Sequence, residues 1–243
     1  MIIKTIIYKC RTCGSKDIVR NGHNKYGNQQ YHCHDCGDYR VLDPKTSDYS
    51  EEKRQEIYRA CHERVSMRGL ERIFGVSRGT VYSWLVPLIR DLPNMRDTLL
   101  PAQADDILEF DEVWTYVRKK AQKHWVWTVI CRRTRQVLAF VIGDHSKKTC
   151  LKLWSRIPDE YRRCRSFSDF WKAYQVLPKT HQLVGKKSGE TAHMERWYCT
   201  LRQRLARLVR KTLSFSKHVS WHHRFIKWYI AEYNLNLLSS LTN

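Results

Sequence analysis

Three acids in this 243-residue sequence have the types and placing that metal-dependent phosphoryl chemistry requires. Asp111, with Glu112 beside it, lies in the β-rich run from Leu108 to Val117. Asp169 closes the strand-like stretch that begins at Arg165. Glu195 lies early in a helical segment that begins near Thr191. Acids on a strand centre, a neighbouring strand end and a facing helix can converge although they are far apart in sequence. Two-metal phosphoryl transfer gathers carboxylates around Mg²⁺ (or Mn²⁺) ions about 4 Å apart, one serving the attacking hydroxyl and the other the leaving oxygen. Taken singly, each acid reads as an ordinary solvated side chain. The charge around them changes that reading.

The chain carries 44 Lys and Arg against 24 Asp and Glu, a formal net charge of +20. Such an excess calls for a polyanionic partner. Between Lys186 and Lys227 there are 11 basic residues and two acidic ones, so Glu195 sits in the most basic stretch of the protein. Arg196, Arg202, Arg204, Arg207, Arg210 and Lys211 form an expected anion track for a phosphate backbone, against the plainer reading of a solvated helix face. A membrane partner is disfavoured, because no apolar run approaches the roughly 18–20 residues of a spanning helix. Met1 to Ile7 is interrupted by Lys4 and lacks the apolar core of a signal peptide. The expectation is a cytoplasmic protein.

Of nine cysteines, four form two matched knuckles, Cys10-x-x-Cys13-Gly14 and Cys33-x-x-Cys36-Gly37, 19 residues apart. Zn²⁺ takes four soft ligands in a tetrahedron, and each CxxC turn delivers two thiolates to one ion. Glycine after the second cysteine frees the backbone where the knuckle turns back. About 40 residues with so little apolar content need such a staple. The zinc is expected to be structural, since four thiolates leave no open position. Cys61, Cys131, Cys150, Cys164 and Cys199 read as buried structural thiols.

The elements that must position these groups fall into three regions. Residues 1–44 show short strands with turn residues at Asn21-Gly22 and Lys25 to Asn28, a hairpin pattern. Residues 45–95 read as helical. Ser50 is a candidate N-cap, and Pro87 and Pro93 close the region. Within it, Leu70, Ile73 and Phe74 give one helix an apolar face, Gly75 allows a tight turn, and Ser77 caps a second helix whose inner face is Val81, Trp84 and Leu85. That is a helix-turn-helix pattern, with Arg78, Thr80, Tyr82 and Ser83 facing outward as candidate DNA contacts; a helical hairpin used only for packing is its alternative. Residues 96–243 read as β-β-β-α-β-α-β-α, a mixed sheet flanked by helices. The fold class is thus multidomain α/β.

Four stretches together resemble one family, the insertion-sequence transposases of the IS-one family within the DDE superfamily. They are the double knuckle with Tyr31-His-Cys-His-Asp-Cys-Gly37, the segment Phe74 to Leu85, the pair Phe110-Asp-Glu-Val-Trp and Ser168-Asp-Phe-Trp-Lys-Ala-Tyr, and the segment Gly189 to Trp197 continuing through Leu201 to Lys217. The resemblance covers nearly the whole chain in the family's order. It implies an RNase H-like catalytic domain with Asp111, Asp169 and Glu195 as a Mg²⁺-binding triad. It further implies cleavage at element ends, attack of the freed 3′-hydroxyl on target DNA, recognition of terminal inverted repeats by the N-terminal modules, and a homo-oligomer that pairs two ends in a prokaryotic, nucleoid-associated setting. One departure stands out: after Trp197 the family usually has two asparagines, and here stand Tyr198 and Cys199.

His181, His193, His222 and His223 read as structural or phosphate-facing, His181 being nearest the expected site. Trp114 and Trp171 are expected to wall it, and Trp197 either packs in the core or stacks on a base. A DNA-binding regulator and a DNA-bridging protein compete with the enzyme, and neither needs the acidic triad.

Overall fold

The computed structural model describes residues 2, 7–25, 27–41, 49–209 and 211–242. Arg210 and residues 42–48, where the expected boundary between the first two regions falls, lie outside them, and the side chain of Lys186 is not described. The chain divides into two compact units, residues 1–51 and 52–243.

The first unit is a three-stranded antiparallel sheet of β1 (Ile18–His23), β2 (Gln29–Cys33) and β3 (Tyr39–Arg40). β1 runs through Asn21-Gly22, where the sequence suggested a turn. Gly22 at φ 64° accommodates a bulge between Arg20 and His23, and the chain reverses later, where Asn24 Oδ1 accepts from the Asn28 N–H.

The second unit opens with α1 (Glu51–Cys61), α2 (Met67–Phe74) and α3 (Arg78–Arg90). Ser66 and Ser77 cap α2 and α3, accepting from the Gly69 and Thr80 N–H groups. Gly75 turns between them at φ 68°, a left-handed conformation that costs a residue with a Cβ about 1 kcal/mol. Leu70, Val81 and Leu85 are buried as expected, whereas Ile73 points to solvent at 65% exposure. Pro87 does not end the helix. It lies inside α3, exposed, and the helix continues to Arg90 because Leu85 and Ile89 stay buried on its other side.

A five-stranded sheet follows, built from β4 (Ile107–Tyr116), β5 (Lys123–Cys131), β6 (Val137–Gly143), β7 (Arg165–Ser168) and β8 (His181–Leu183) in the order β6-β5-β4-β7-β8. β4, β5 and β6 are antiparallel, while β7 and β8 run parallel to β4. α4 (Lys147–Trp154) crosses from β6 to β7; the helix expected between β7 and β8 is a 3₁₀ turn at Lys172–Val176. Two cores form on the two faces. Leu108 and Phe110 of β4 pack with Cys150 and Leu153 of α4. Val113 packs with α5 (Ala192–Arg204) and α6 (Val219–Thr242) through Met194, Trp197, Tyr198, Leu201, Ile226 and Ile230. With side chains alternating along a strand, Glu109 and Asp111 face the α5 side and Glu112 faces the α4 side.

The basic C-terminal stretch is not one helix. α5 stops at Arg204, Leu205 is extended (φ −107°, ψ 106°), and helix resumes at Val219. α6 reaches back to the N-terminal helices of its unit. Trp228 packs on Tyr58 and His62 at centroid separations of 5.9 and 4.0 Å, and Trp221 packs on Tyr82 at 4.7 Å. Among the described residues no helix is long and apolar enough to cross a membrane.

Candidate metal centres and active site

In the first unit, Gly14 N–H donates to the Cys10 carbonyl at 2.8 Å and Gly37 N–H to the Cys33 carbonyl at 2.9 Å. The two knuckles therefore share one geometry, with Gly14 and Gly37 at φ 75° and 71°. They face each other so that Cys10 and Cys36 Sγ lie 3.6 Å apart, as do Cys13 and Cys33 Sγ. All four sulfurs fall within 4.8 Å of one another. A tetrahedron with Zn–S bonds of about 2.3 Å has S–S edges of about 3.8 Å, so the donor set fits zinc in both chemistry and spacing. Backbone N–H groups of Cys13 and Thr12 lower the Cys10 thiol, while burial and the neighbouring thiols raise Cys13 and Cys36, so one thiolate forms readily and the crowding of the others is what a bound cation would relieve.

In the second unit, strand register brings the first two acids together. β4 and β7 pair in parallel as far as Glu109 opposite Phe167, and β7 ends at Ser168. Asp169 therefore follows the strand end, close enough to Asp111 to act on its carboxyl. Glu195 is on the first turn of α5, which covers that face. The three are electrostatic neighbours. Burial, the adjacent Glu112, and then Asp169 and Glu195 push the Asp111 carboxyl up to about 7. They are not as tightly drawn together as the cysteines, which are the one set of metal-ligand atoms within 4.8 Å among the described residues. Neighbouring carboxylates at the end of a sheet are a hard-oxygen donor set of the kind that Mg²⁺ or Mn²⁺ takes. The cost of ionising Asp111 beside its neighbours is what a bound cation would relieve.

A second layer holds this arrangement, and no motif marked it. Glu109, fully buried two residues before Asp111, accepts from the His193 and Met194 N–H groups at 3.0 and 3.1 Å. It thereby caps the N-terminus of α5 from another element. Its carboxylate also lies 2.6 Å from His193 Nδ1 and takes a 2.8 Å bond from Arg132, whose other nitrogen bonds Glu190 at 2.7 Å. Tyr198 is buried with its hydroxyl directed at the Asp111 and Val126 carbonyls, 2.6 and 3.1 Å away. This departure from the family pattern therefore ties α5 to the strand of Asp111, while Cys199 is exposed, unlike the other four scattered cysteines.

Glu112, on the opposite face, accepts from the Tyr174 hydroxyl and pairs with His145 at 2.7 Å. The His145 ring is sandwiched between Trp125 and Trp171, centroids 3.8 and 4.0 Å away and nearly parallel. Trp171 remains 37% exposed beside Asp169, whereas Trp197 is core, packed on Tyr229 and Tyr233. His181 lies between Ser166 and Ser168 of β7, and burial lowers its pKa to about 4.

The expected DNA contacts divide. Thr80, Ser83, Arg196 and Lys211 are wholly or partly exposed. Arg78 pairs with Glu71, and Arg204 pairs with Glu63. Tyr82 packs on Trp221. Arg202 has its Nε buried without a partner. Arg207 is drawn inward: its guanidinium lies 3.5 Å over the Phe225 ring and bonds Ser216, and burial lowers its pKa to about 10.

The profile of a family described as IS1 transposase matches residues 106–235, just over half the chain and all the elements from β4 to α6 that build the site. The insertion element iso-IS1n protein InsB of Shigella dysenteriae is 36% identical over 128 residues, covering 52% of this chain and 95% of that protein. An insertion element IS1 protein InsB of Shigella flexneri is 36% identical over 124 residues, 50% of this chain and 92% of that protein. The IS1 4 InsB protein of Escherichia coli K12 is 35% identical over 124 residues, with 72% of its length covered.

Proposed function

The chain belongs to the IS1 transposase family, and from that premise we propose that it binds the terminal inverted repeats of its insertion sequence, cleaves at the element ends and joins the 3′-hydroxyl ends to target DNA. Asp111, Asp169 and Glu195 would hold Mg²⁺ or Mn²⁺, which when bound activates the attacking hydroxyl and stabilises the leaving oxygen. The chain's own part is positioning. β4 carries one acid and the end of β7 leads into the second, Glu109 and Tyr198 fix the helix that brings the third, and exposed Arg196 and Lys211 would meet the phosphate backbone. The observation that carries this reading is the placing of Asp111 on β4, Asp169 directly after β7 and Glu195 on the first turn of α5, near enough that the last two raise the Asp111 carboxyl.

The cysteine cluster would hold a structural Zn²⁺, and α2 and α3 would act as a helix-turn-helix with Arg78, Thr80, Tyr82 and Ser83 at the start of its second helix toward the groove. Arg202 would support the backbone track, and two or more copies would pair the element's ends. A strand-transfer assay tests the enzyme. Purified protein is mixed with labelled DNA from either side of its gene, a supercoiled plasmid and Mg²⁺, with Glu195→Gln in parallel. Label joined to plasmid by the wild type alone is the expected result. Binding without joining in both samples would overturn the enzyme and favour a DNA-binding regulator.

A further inference from the structure

Beyond the expected track, a further group of cations without acidic partners among the described residues lies at the far end of the β4–β5 hairpin. Val117 forms a parallel bridge with Ser216, the Arg118 N–H donates to the Ser216 carbonyl at 2.9 Å, and the Tyr116 hydroxyl bonds the Thr212 carbonyl at 3.2 Å. These bonds hold the hairpin turn against the segment before α6. Between them lies an open cleft of about 610 Å³, lined by Arg118, Lys123, His124, Lys217 and His218 together with Val117, Ala121, Gln122 and Val219. No acid lines it. None of Arg118, Lys123 and Lys217 takes part in an ion pair among the described residues, whereas Arg132, Arg133, Arg162 and Arg204 are all neutralised inside the fold. Lys119 and Lys120 are exposed on the same turn.

We propose that this cleft is a second DNA seat, which grips the phosphate backbone of a duplex whose reacting phosphate lies at Asp111. The inference rests on the transposase reading for its second half alone. Three unpaired cations and two imidazoles around a concave surface suit a run of phosphates, not one small anion, because they are spread along two chain segments. Asp111 and Val117 are six residues apart along one strand, about 20 Å, so a duplex laid along β4 would meet the cleft about six base pairs from the cut. One rigid element therefore sets the distance between grip and chemistry. The contact is to backbone and carries no base preference.

Binding is measured by fluorescence anisotropy with a labelled duplex of arbitrary sequence, across a salt series. Lys123→Glu with Lys217→Glu is compared with Lys123→Gln with Lys217→Gln and with wild type. Both positions of change are exposed, and thermal melts check that each variant is folded. The charge reversal is expected to weaken binding about tenfold at fixed salt, and the neutral pair less. Both should lower the slope of log K against log salt by about one for each lost phosphate contact. Affinity within about twofold of wild type and an unchanged salt slope in the folded double variants would overturn the seat, whatever the joining assay gives. If the wild type fails to join ends but the double variants lose affinity and slope, the seat stands and the enzyme reading falls.

Discussion

His181 lies between two serines of β7 with a neutral imidazole, its pKa lowered to about 4 by burial. In the unfolded chain the same ring takes up a proton below about pH 6.5. The native state therefore binds fewer protons, and stability is lost as pH falls from about 6.5 toward 4, with no further loss from this group below that. The expected cost is about 2 kcal/mol between about pH 7 and pH 5. Urea unfolding at the two values should show it, and His181→Gln should reduce the pH slope; an identical slope in the variant would assign the effect to other groups. Before folding, the residue was visible as a histidine near the presumed site, but its task was not. Nothing in its type or spacing tells a catalytic imidazole from one that braces a strand. The acids were more legible, because Asp111, Asp169 and Glu195 stand in segments with recognisable strand or helix character. The Glu109–Arg132–Glu190–His193 network was not, since its members are linked only by strand register and by the placing of α5.

α5 is held at its start by a side chain from β4, and that fastening carries an element-scale prediction. Glu109→Ala removes the acceptor of two helix N–H groups and leaves Arg132 with one carboxylate partner instead of two. Breaking one side of a buried charged network costs about 3 kcal/mol. Glu109→Gln keeps an acceptor for the N–H groups and should lose less. Urea midpoints measure both, and an Ala variant as stable as wild type would show that α5 is held by its apolar face alone. The strands were readable from Val, Ile and aromatic runs separated by charged turns, and Ser77 and Gly75 marked the turn between α2 and α3. Helix ends were harder. Leu201, Leu205 and Leu208 keep helical spacing past the point where the backbone extends, so the pattern hid the break after Arg204. Pro87 misled in the other direction, because one missing N–H on an exposed face is tolerated when the opposite face stays buried.

At the scale of the whole chain, the two units differ in what holds them. Residues 52–243 have two apolar cores. Residues 1–51 have a small sheet and four converging sulfurs. Chelation of zinc should therefore open residues 1–51 to protease while 52–243 stay resistant and keep their melting transition; collapse of both would mean that the units are not independent. The knuckles announced the first unit in sequence, through ligand spacing. The union of α1–α3 with residues 96–243 in one compact unit was not announced, because it depends on where α6 lands. That landing has a consequence for the order in which the protein is made. Helices α1 and α3 are made long before the aromatic surface that covers Tyr58, His62 and Tyr82, which comes from Trp221 and Trp228 of α6. The cysteine unit, by contrast, needs nothing beyond β3 to complete its sheet and bring its four sulfurs together. The faces of α1 and α3 are completed only when α6 has been made, so a product truncated before Val219 would carry the four converging cysteines beside an unfinished helical surface.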